Sequence, residues 1–593
     1  MSYDTWQSLP DMFFEIAERG GDSAFLWAKK DGRYEALSWR DTARRVRNMA
    51  KGLAGLGVAP GDRIAIVAEN SPEWAIADLA IMTLGAISVP AYTTNTVRDH
   101  RHVLSDCGAK GVIVSTRALA ARLLPAAAEV AATEFIITME STEPGAFDIA
   151  LHEWADVLAA GAASKHDLLP ALNELSRSDV ACLIYTSGTG GNPKGVMLSH
   201  EAILVNCMSA CELLRQLGLG DEVFLSFLPL SHAYEHTTGL YFPISIKAQI
   251  YYAESIETLS ANLVEARPTI MVSVPRLYEV MHRRIVLGLK HQSALKQSLF
   301  AKAVALGRKQ YEKPGSFGLV QAALNRVLER LVRDKVRARF GGRLKAMVSG
   351  GAPLNPEVGI FFTSLGVCLL QGYGQTESAP VISCNLPGKV KLHTVGPPLV
   401  GVEVKIAEDG EILARGKMVM NGYWNDEAST NKVLRDGWLH TGDIGNLDED
   451  GFIQITDRKK DIIVLSGGDN LSPQRVEGTL TLQPEIGQAM VYGDKHAHVV
   501  ALLVPDEDFV RDWQRASGAG CDLSALAEDG EFMKALTAAV ERANADLSPT
   551  ERVKRTMLAS EPFSVDNELM TPTLKVRRHK VLEIYRDGLE ALY

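Results

Sequence analysis

The sequence predicts an α/β protein in which a large N-terminal domain of parallel β-sheets, flanked by helices, is followed by a small α+β domain. Three observations carry this. Short β-branched runs alternate with longer helical patterns: "RIAIVAEN" from Arg63, "GVIVS" from Gly111, "EFIITM" from Glu134, "EVFLSFLPL" from Glu222, "TIMVSVP" from Thr269, "LKAMVSGG" from Leu344 and "VCLLQGYG" from Val367. That alternation builds parallel sheets, whose ligands bind in loops beyond the carboxyl ends of the strands. A chain of 593 residues, 46% hydrophobic and 23% charged, also has material for a core larger than one ordinary domain. Finally, the texture changes near residue 460. There the charged stretch "DRKKD", Asp457 to Asp461, precedes a shorter mix of strands and helices through "AMVYGD" and "HVVALLVP". The domains therefore read as 1–456 and 462–593, joined by a linker at 457–461.

Taken in order, the N-terminal "MSYDTWQSLPDMFFEIAERGG" has no basic segment followed by an apolar one, which argues against secretion. The run "WAIADLAIMTLGAISVPAY" from Trp74 contains Asp78 and ends near Pro90, so it reads as a buried helix and then a strand rather than a membrane span. Seven cysteines without a Cys-x-x-Cys pair point to a reducing, cytoplasmic setting. A formal charge of −10 argues against a general nucleic-acid binder. One region departs from this acidity. Between Arg283 and Arg343 Lys and Arg dominate, and Val320, Leu324, Val327 and Leu331 fit one face of a helix. The plain expectation is a helical insertion packed on the body through that stripe; the alternative is a surface for anionic lipid, with peripheral membrane attachment, or for an acidic cofactor.

The chemistry concentrates in a few loops. "YTSGTGGNPKG", Tyr185 to Gly195, offers glycine backbone, hydroxyls and one lysine, the makings of a phosphate cradle. It is not a Walker loop, because Lys194 precedes Gly195 and Val196 follows. "QGYGQTES" places Glu377 on a glycine-flexed loop after an apolar strand, where a carboxylate can hold Mg²⁺ against a phosphate. "WLHTGDIG" presents Asp443, able to accept from both hydroxyls of a ribose; "GGAPL" from Gly350 suits close approach by a flat ring; "TPTLKVRR" carries Lys575. Each alone is weak.

Together, in this order and spacing, they resemble the adenylate-forming enzymes over nearly the whole chain. "LPLSHAYEH", "SVPRLYE", the basic insertion and "TPTLKVRR" most resemble long-chain fatty acid CoA ligases. The resemblance implies that ATP, Mg²⁺, a fatty acid and coenzyme A are the small-molecule partners. It implies that Thr186, Ser187, Gly188, Thr189, Gly190 and Lys194 cradle the triphosphate, with Thr186 and Glu377 at the metal. Gly351, Ala352, Gly372, Tyr373, Gly374 and Thr376 would line the adenine and α-phosphate site, and Asp443 and Arg458 the ribose. His232 falls near the acyl carboxylate, Lys575 neutralises charge on the reacting groups, and Lys460 is the hinge about which a mobile small domain turns. Gly190 departs from the family, which usually has a second Thr there.

Three other readings compete. "HAYEH", His232 to His236, satisfies the His-x-x-Glu-His pattern of inverted zinc peptidases, but it follows "SFLPLS", which reads as a strand ending in a loop rather than a helix. A ligase that delivers its acyl-AMP to a carrier-protein thiol shares nearly every motif. A non-catalytic nucleotide binder is disfavoured by the presence of both Glu377 and Lys575.

Overall fold

The computed structural model describes residues 3–143, 145, 147–186, 192–467, 469–517, 522–565, 567–571 and 576–593. Two eight-stranded sheets form the body of the large domain. One runs Gly422–Tyr423, Lys194–Ser199, Val180–Thr186, Ile87–Pro90, Arg63–Val67, Gly111–Val114, Phe135–Thr138, Ala150–Glu153; the other runs Val381–Cys384, Leu369–Gly374, Ala346–Ser349, Ile270–Ser273, Val223–Ser226, Gln249–Tyr252, Ala24–Lys30, Arg33–Ser38. Their interiors are parallel; antiparallel strands close both edges of the second sheet and one edge of the first, whose other edge, Ala150–Glu153, is parallel.

Strand period two explains the layering. Ile64 and Ile66 face one core and Ala65 and Val67 another; likewise Phe224 and Leu370 oppose Leu225 and Leu369. The core shared by both sheets is filled by helices Pro72–Thr83 and His200–Leu214. Every residue of Pro72–Thr83 except Glu73 is buried, which is why its sequence is apolar all round. Ser71 caps it, accepting from the Trp74 N–H at 3.2 Å, and Pro72 occupies its first turn. Among the described residues no helix is long and apolar enough to cross a membrane.

Between Glu403 and Arg458 only Gly422–Tyr423 joins a large sheet; the strands Glu403–Ile406, Glu411–Arg415, Leu434–Arg435, Trp438–Leu447 and Ile453–Arg458 form a separate antiparallel sheet, which strand–helix alternation does not anticipate. Beyond it, three strands, Ile486–Tyr492, Val499–Pro505 and Val553–Leu558, carry helices Pro473–Leu480 and Gly530–Ala545 on one face and Arg578–Glu590 on the other.

The basic insertion is helical, as expected, but packs on a different face. Leu328 and Val332 are buried, and Leu324 is half-buried against the same core. Val320, Val327 and Leu331 stand 82%, 50% and 46% exposed. The expected stripe therefore lies mostly outward. Arg333 fixes the register: buried, it donates to the carbonyls of Ser364 (2.8 Å) and Ala303 (2.9 Å), which rotates its neighbours Leu328 and Val332 inward.

Candidate active site between the two domains

A cavity of about 2520 Å³ opens where the strand ends of the large domain meet the small domain. The strands that flank the glycine-rich segment, Val180–Thr186 and Lys194–Ser199, pair antiparallel with Thr186 opposite Lys194. This is unlike a strand-to-helix phosphate loop. Ser187, Gly188, Thr189 and Gly190 lie outside the described residues, as does Lys575. Thr186 and Lys194 both line the cavity.

Lys194 is held there by groups that the sequence reading missed. Its ammonium pairs with Asp426 at 3.2 Å, donates to the Ser429 hydroxyl and sits 5.2 Å from the centre of the Tyr423 ring. Asp426 caps helix Glu427–Val433, accepting from the Ser429 N–H at 2.9 Å. Hydrogen bonds from Ser429, and then Lys194, hold its carboxylate down at about 2. Lys194 is thereby positioned on the cavity by a partner of a single negative charge. The Asp-x-x-Ser spacing is a legible helix start, but nothing in the sequence ties it to Lys194.

Glu377 occupies the turn directly after strand Leu369–Gly374. The Tyr423 hydroxyl donates to its Oε1 at 2.7 Å, and burial, followed by this carboxylate, pushes the phenol well above its ordinary range. Tyr423 thus remains a donor and orients Glu377. A single carboxylate with the Thr186 hydroxyl on the same cavity is a hard-oxygen donor set suited to Mg²⁺, which completes its shell with substrate phosphate and water. Among the described residues no group of three or more His, Cys, Asp and Glu gathers as a metal cage.

Asp443 and Arg458 face each other across antiparallel strands Trp438–Leu447 and Ile453–Arg458. Asp443, only 5% exposed, accepts from the Tyr373 hydroxyl at 2.7 Å and from Arg458 Nε at 3.0 Å. The pair fixes both carboxylate oxygens in plane while leaving each with acceptor capacity. Glu411, also missed in the sequence, stabilises this turn by accepting from the Gly442 N–H at 2.9 Å and from Lys459 at 3.1 Å.

Gly351, Ala352, Gly372, Gly374 and Thr376 line the same cavity. Gly351 has φ +80°, a left-handed conformation that favours glycine. Gly374 has a packing reason of its own, because a Cβ there would lie 1.8 Å from the Pro380 carbonyl oxygen.

His232 also lines the cavity, its Nδ1 accepting from the Tyr234 N–H at 3.1 Å. As expected, "SFLPLS" carries the end of strand Val223–Ser226 into a loop; the segment after His232 is helical, as Ala233–Glu235, π turns over His236–Tyr241, then Phe242–Ser245. The wide turns and Pro243 hide its period. His236 nevertheless diverges from His232, buried with its Nε2 3.0 Å from Asp78, which also accepts from the Tyr241 hydroxyl at 2.5 Å. The two histidines do not share a ligand site.

Glu235 beside them is fully buried, and burial raises it to about 8, tempered by Ser226. Between an unfolded value near 4.5 and that folded value, the native state binds the extra proton. Stability therefore falls as pH rises through this window, by up to about 1.4 kcal/mol per pH unit. Urea unfolding at pH 5.5 and 7.5 is expected to show that decline in the wild type and a flatter dependence in Glu235→Gln.

The linker is anchored to the large domain up to Lys459, whose N–H donates to the Gly442 carbonyl and whose ammonium reaches Asp409 at 2.6 Å. Lys460 follows on the cavity wall, and the first strand beyond it is Ile463–Val464. From the small domain, Glu477, Arg577 and Arg578 face the same cavity, as do Thr571 and Val576 on either side of the segment that carries Lys575.

The cleft, walled by strand ends and faced by a second domain, has room for a nucleotide and a second substrate together. The chain belongs to the AMP-binding enzyme family: residues 13–424 match the family and residues 460–593 match its C-terminal domain. It is an adenylate-forming enzyme most like long-chain fatty acid CoA ligases. The long-chain-fatty-acid–CoA ligase FadD15 of Mycobacterium bovis is 34% identical, over 98% of this chain and 96% of its own. The peroxisomal long chain acyl-CoA synthetase 6 of Arabidopsis thaliana is 30% identical, over 95% of this chain and 82% of its own. Among solved structures, the adenylation domain of a carboxylate reductase from Mycobacterium chelonae superposes with a TM-score of 0.78 at 21% identity, covering 99% of this chain and 91% of that one. An anthranilate CoA ligase superposes with a TM-score of 0.72 at 19% identity, covering 100% of both chains.

Proposed function

We propose that the protein activates a long-chain fatty acid with ATP and passes the acyl group to coenzyme A. The acid's carboxylate oxygen attacks the α-phosphorus, the bond to the β-phosphate breaks, and pyrophosphate leaves with an acyl-AMP anhydride remaining. The thiol then attacks the acyl carbon and AMP departs with the bonding pair. In the first step Lys194 and the hairpin would hold the β- and γ-phosphates, Asp443 with Arg458 the ribose, and Lys575 the charge developing at the α-phosphate. Mg²⁺ held by Glu377 and Thr186 would neutralise the triphosphate. His232, on the cavity wall, would orient the acid's carboxylate.

The observation that supports the substrate class is that the cavity lining includes the buried apolar side chains Leu214, Phe224, Phe242, Ile270 and Val272. A short polar acid gains nothing from such side chains. Each methylene buried adds about 0.8 kcal/mol, so two more carbons raise kcat/KM by roughly tenfold until the apolar space is full. Pyrophosphate release across straight-chain acids from acetate upward is expected to climb on that slope and then level; a maximum at acetate or at an aromatic acid would overturn the substrate class. Transfer to a carrier-protein thiol is the second reading, favoured only by the shared motifs.

A further inference from the structure

We propose that the helical insertion is a docking surface for an anionic lipid bilayer. The segment from helix Leu319–Leu328 through the π turns Glu329–Arg333 to helix Asp334–Arg339 is one continuous rod with two faces. Its inner face is committed. Leu328, Val332 and Arg333 are buried, and Arg333 donates to the Ala303 carbonyl of the adjoining helix Ala294–Glu312 at 2.9 Å.

The outer face reads Leu319, Val320, Ala323, Arg326, Val327, Arg330, Leu331, Lys335, Ala338, Arg339, every one exposed. A water-facing helix surface ordinarily carries polar residues. This one carries four large aliphatic side chains, with Leu319 at 92% and Val320 at 82% exposure, interleaved with four cations. None of Arg326, Arg330, Lys335 and Arg339 makes an ion pair among the described residues, whereas the inward Arg333 and Arg337 take up Glu329 and Asp334.

Charge complementarity selects the occupant. From Arg283 to Arg343 there are fifteen Lys and Arg against three Asp and Glu, in a chain of net charge −10. The rest of the surface is therefore repelled by an anionic membrane while this face is drawn to it. Aliphatic side chains alternating with long cationic ones match the boundary between acyl chains and headgroups, where the stems insert and the charged ends stay at the phosphates. A second copy of this chain would bring like charge against like charge. An acidic protein would satisfy the cations but leave the aliphatic side chains to a specific pocket.

The proposal goes beyond the ligase reading and does not need it, because binding is measured without substrates. Full-length protein is floated with vesicles of phosphatidylcholine alone and of an equal mixture with phosphatidylglycerol. Binding is expected to the mixed vesicles only, and to be lost at 1 M salt, where screening acts within about 3 Å. R326Q/R330Q/K335Q is expected to lower the partition coefficient roughly a hundredfold, and L319Q/V320Q/V327Q to abolish insertion. Both variants should keep wild-type turnover of a soluble acid and a wild-type melting curve. No flotation of wild type, equal flotation with neutral vesicles, or unchanged flotation of either variant overturns the proposal. So does concentration-dependent dimerisation in sedimentation that L319Q/V320Q/V327Q removes, which would assign the face to a second copy. Failure of flotation with full ligase activity leaves the function above intact.

Discussion

Lys575→Ala is expected to lower fatty-acid-dependent exchange of labelled pyrophosphate into ATP by roughly a thousandfold, the scale of removing a charge-stabilising group from a phosphoryl-type transition state. Supplied acyl-AMP and coenzyme A should still form thioester at close to the wild-type rate. The reason is the proposed division of labour: the anhydride already carries a good leaving group, so a lysine that balances charge on the reacting phosphate would be needed only to make it. Lys460→Pro should give the reverse pattern. The linker is tied to the large domain through Lys459, with Asp409 at 2.6 Å and Glu411 at 3.1 Å, so a turn of the small domain would fall on the next residue. Proline fixes φ near −65° and restricts the residue before it, which would stall such a hinge in one state. Equal losses of both half-reactions in both folded variants would contradict this scheme.

Glu377→Gln should cut the adenylation rate by roughly a hundredfold at low Mg²⁺ and recover in part as Mg²⁺ rises, with little change in melting temperature. The amide oxygen can still accept from Tyr423, which holds the native side chain at 2.7 Å, so the turn keeps its shape and only the metal's anionic donor is lost. Metal titrations of initial rate separate the two effects. A Glu377→Gln enzyme with wild-type activity at low Mg²⁺ would remove Glu377 from the metal site.

Much of the fold is legible in the sequence because burial on both faces writes itself into composition. Strands Gly111–Val114 and Phe135–Thr138 are buried throughout, and their β-branched and apolar runs stand out between helical patterns. Helix Pro72–Thr83 is recognisable because a span with an acid in it must be buried in protein instead of lipid. The antiparallel sheet from Glu403 is less visible, since its longest strand, Trp438–Leu447, alternates buried and half-buried residues, and such alternation is easily taken for loop. The insertion's packing face is not legible in the sequence because Val320, Val327 and Leu331 fit a helical stripe as well as Leu328 and Val332 do. What decides between the stripes is Arg333, a charged residue whose inward role depends on carbonyls of Ala303 and Ser364 that are remote in sequence.

The site divides the same way. Thr186, Lys194, Glu377, Tyr373, Asp443 and Arg458 converge on one cavity, as expected from motifs that bring glycine, hydroxyl and charge together at strand ends. Tyr423, Asp426, Ser429 and Glu411 carry no such local signature. Each acts on a residue distant in the chain, Tyr423 on Glu377 and Asp426 on Lys194, and that relation exists only once strand Gly422–Tyr423 pairs with Lys194–Ser199.

The central claim is tested most directly by product stoichiometry. Purified protein is incubated with ATP, Mg²⁺, a saturated long-chain acid and coenzyme A, and the nucleotide, phosphate and thioester products are quantified together. The account predicts AMP, pyrophosphate and acyl-CoA in equal amounts, and pyrophosphate with enzyme-bound acyl-AMP when coenzyme A is omitted. Formation of ADP and phosphate, or of pyrophosphate without any thioester when coenzyme A is present, would contradict it.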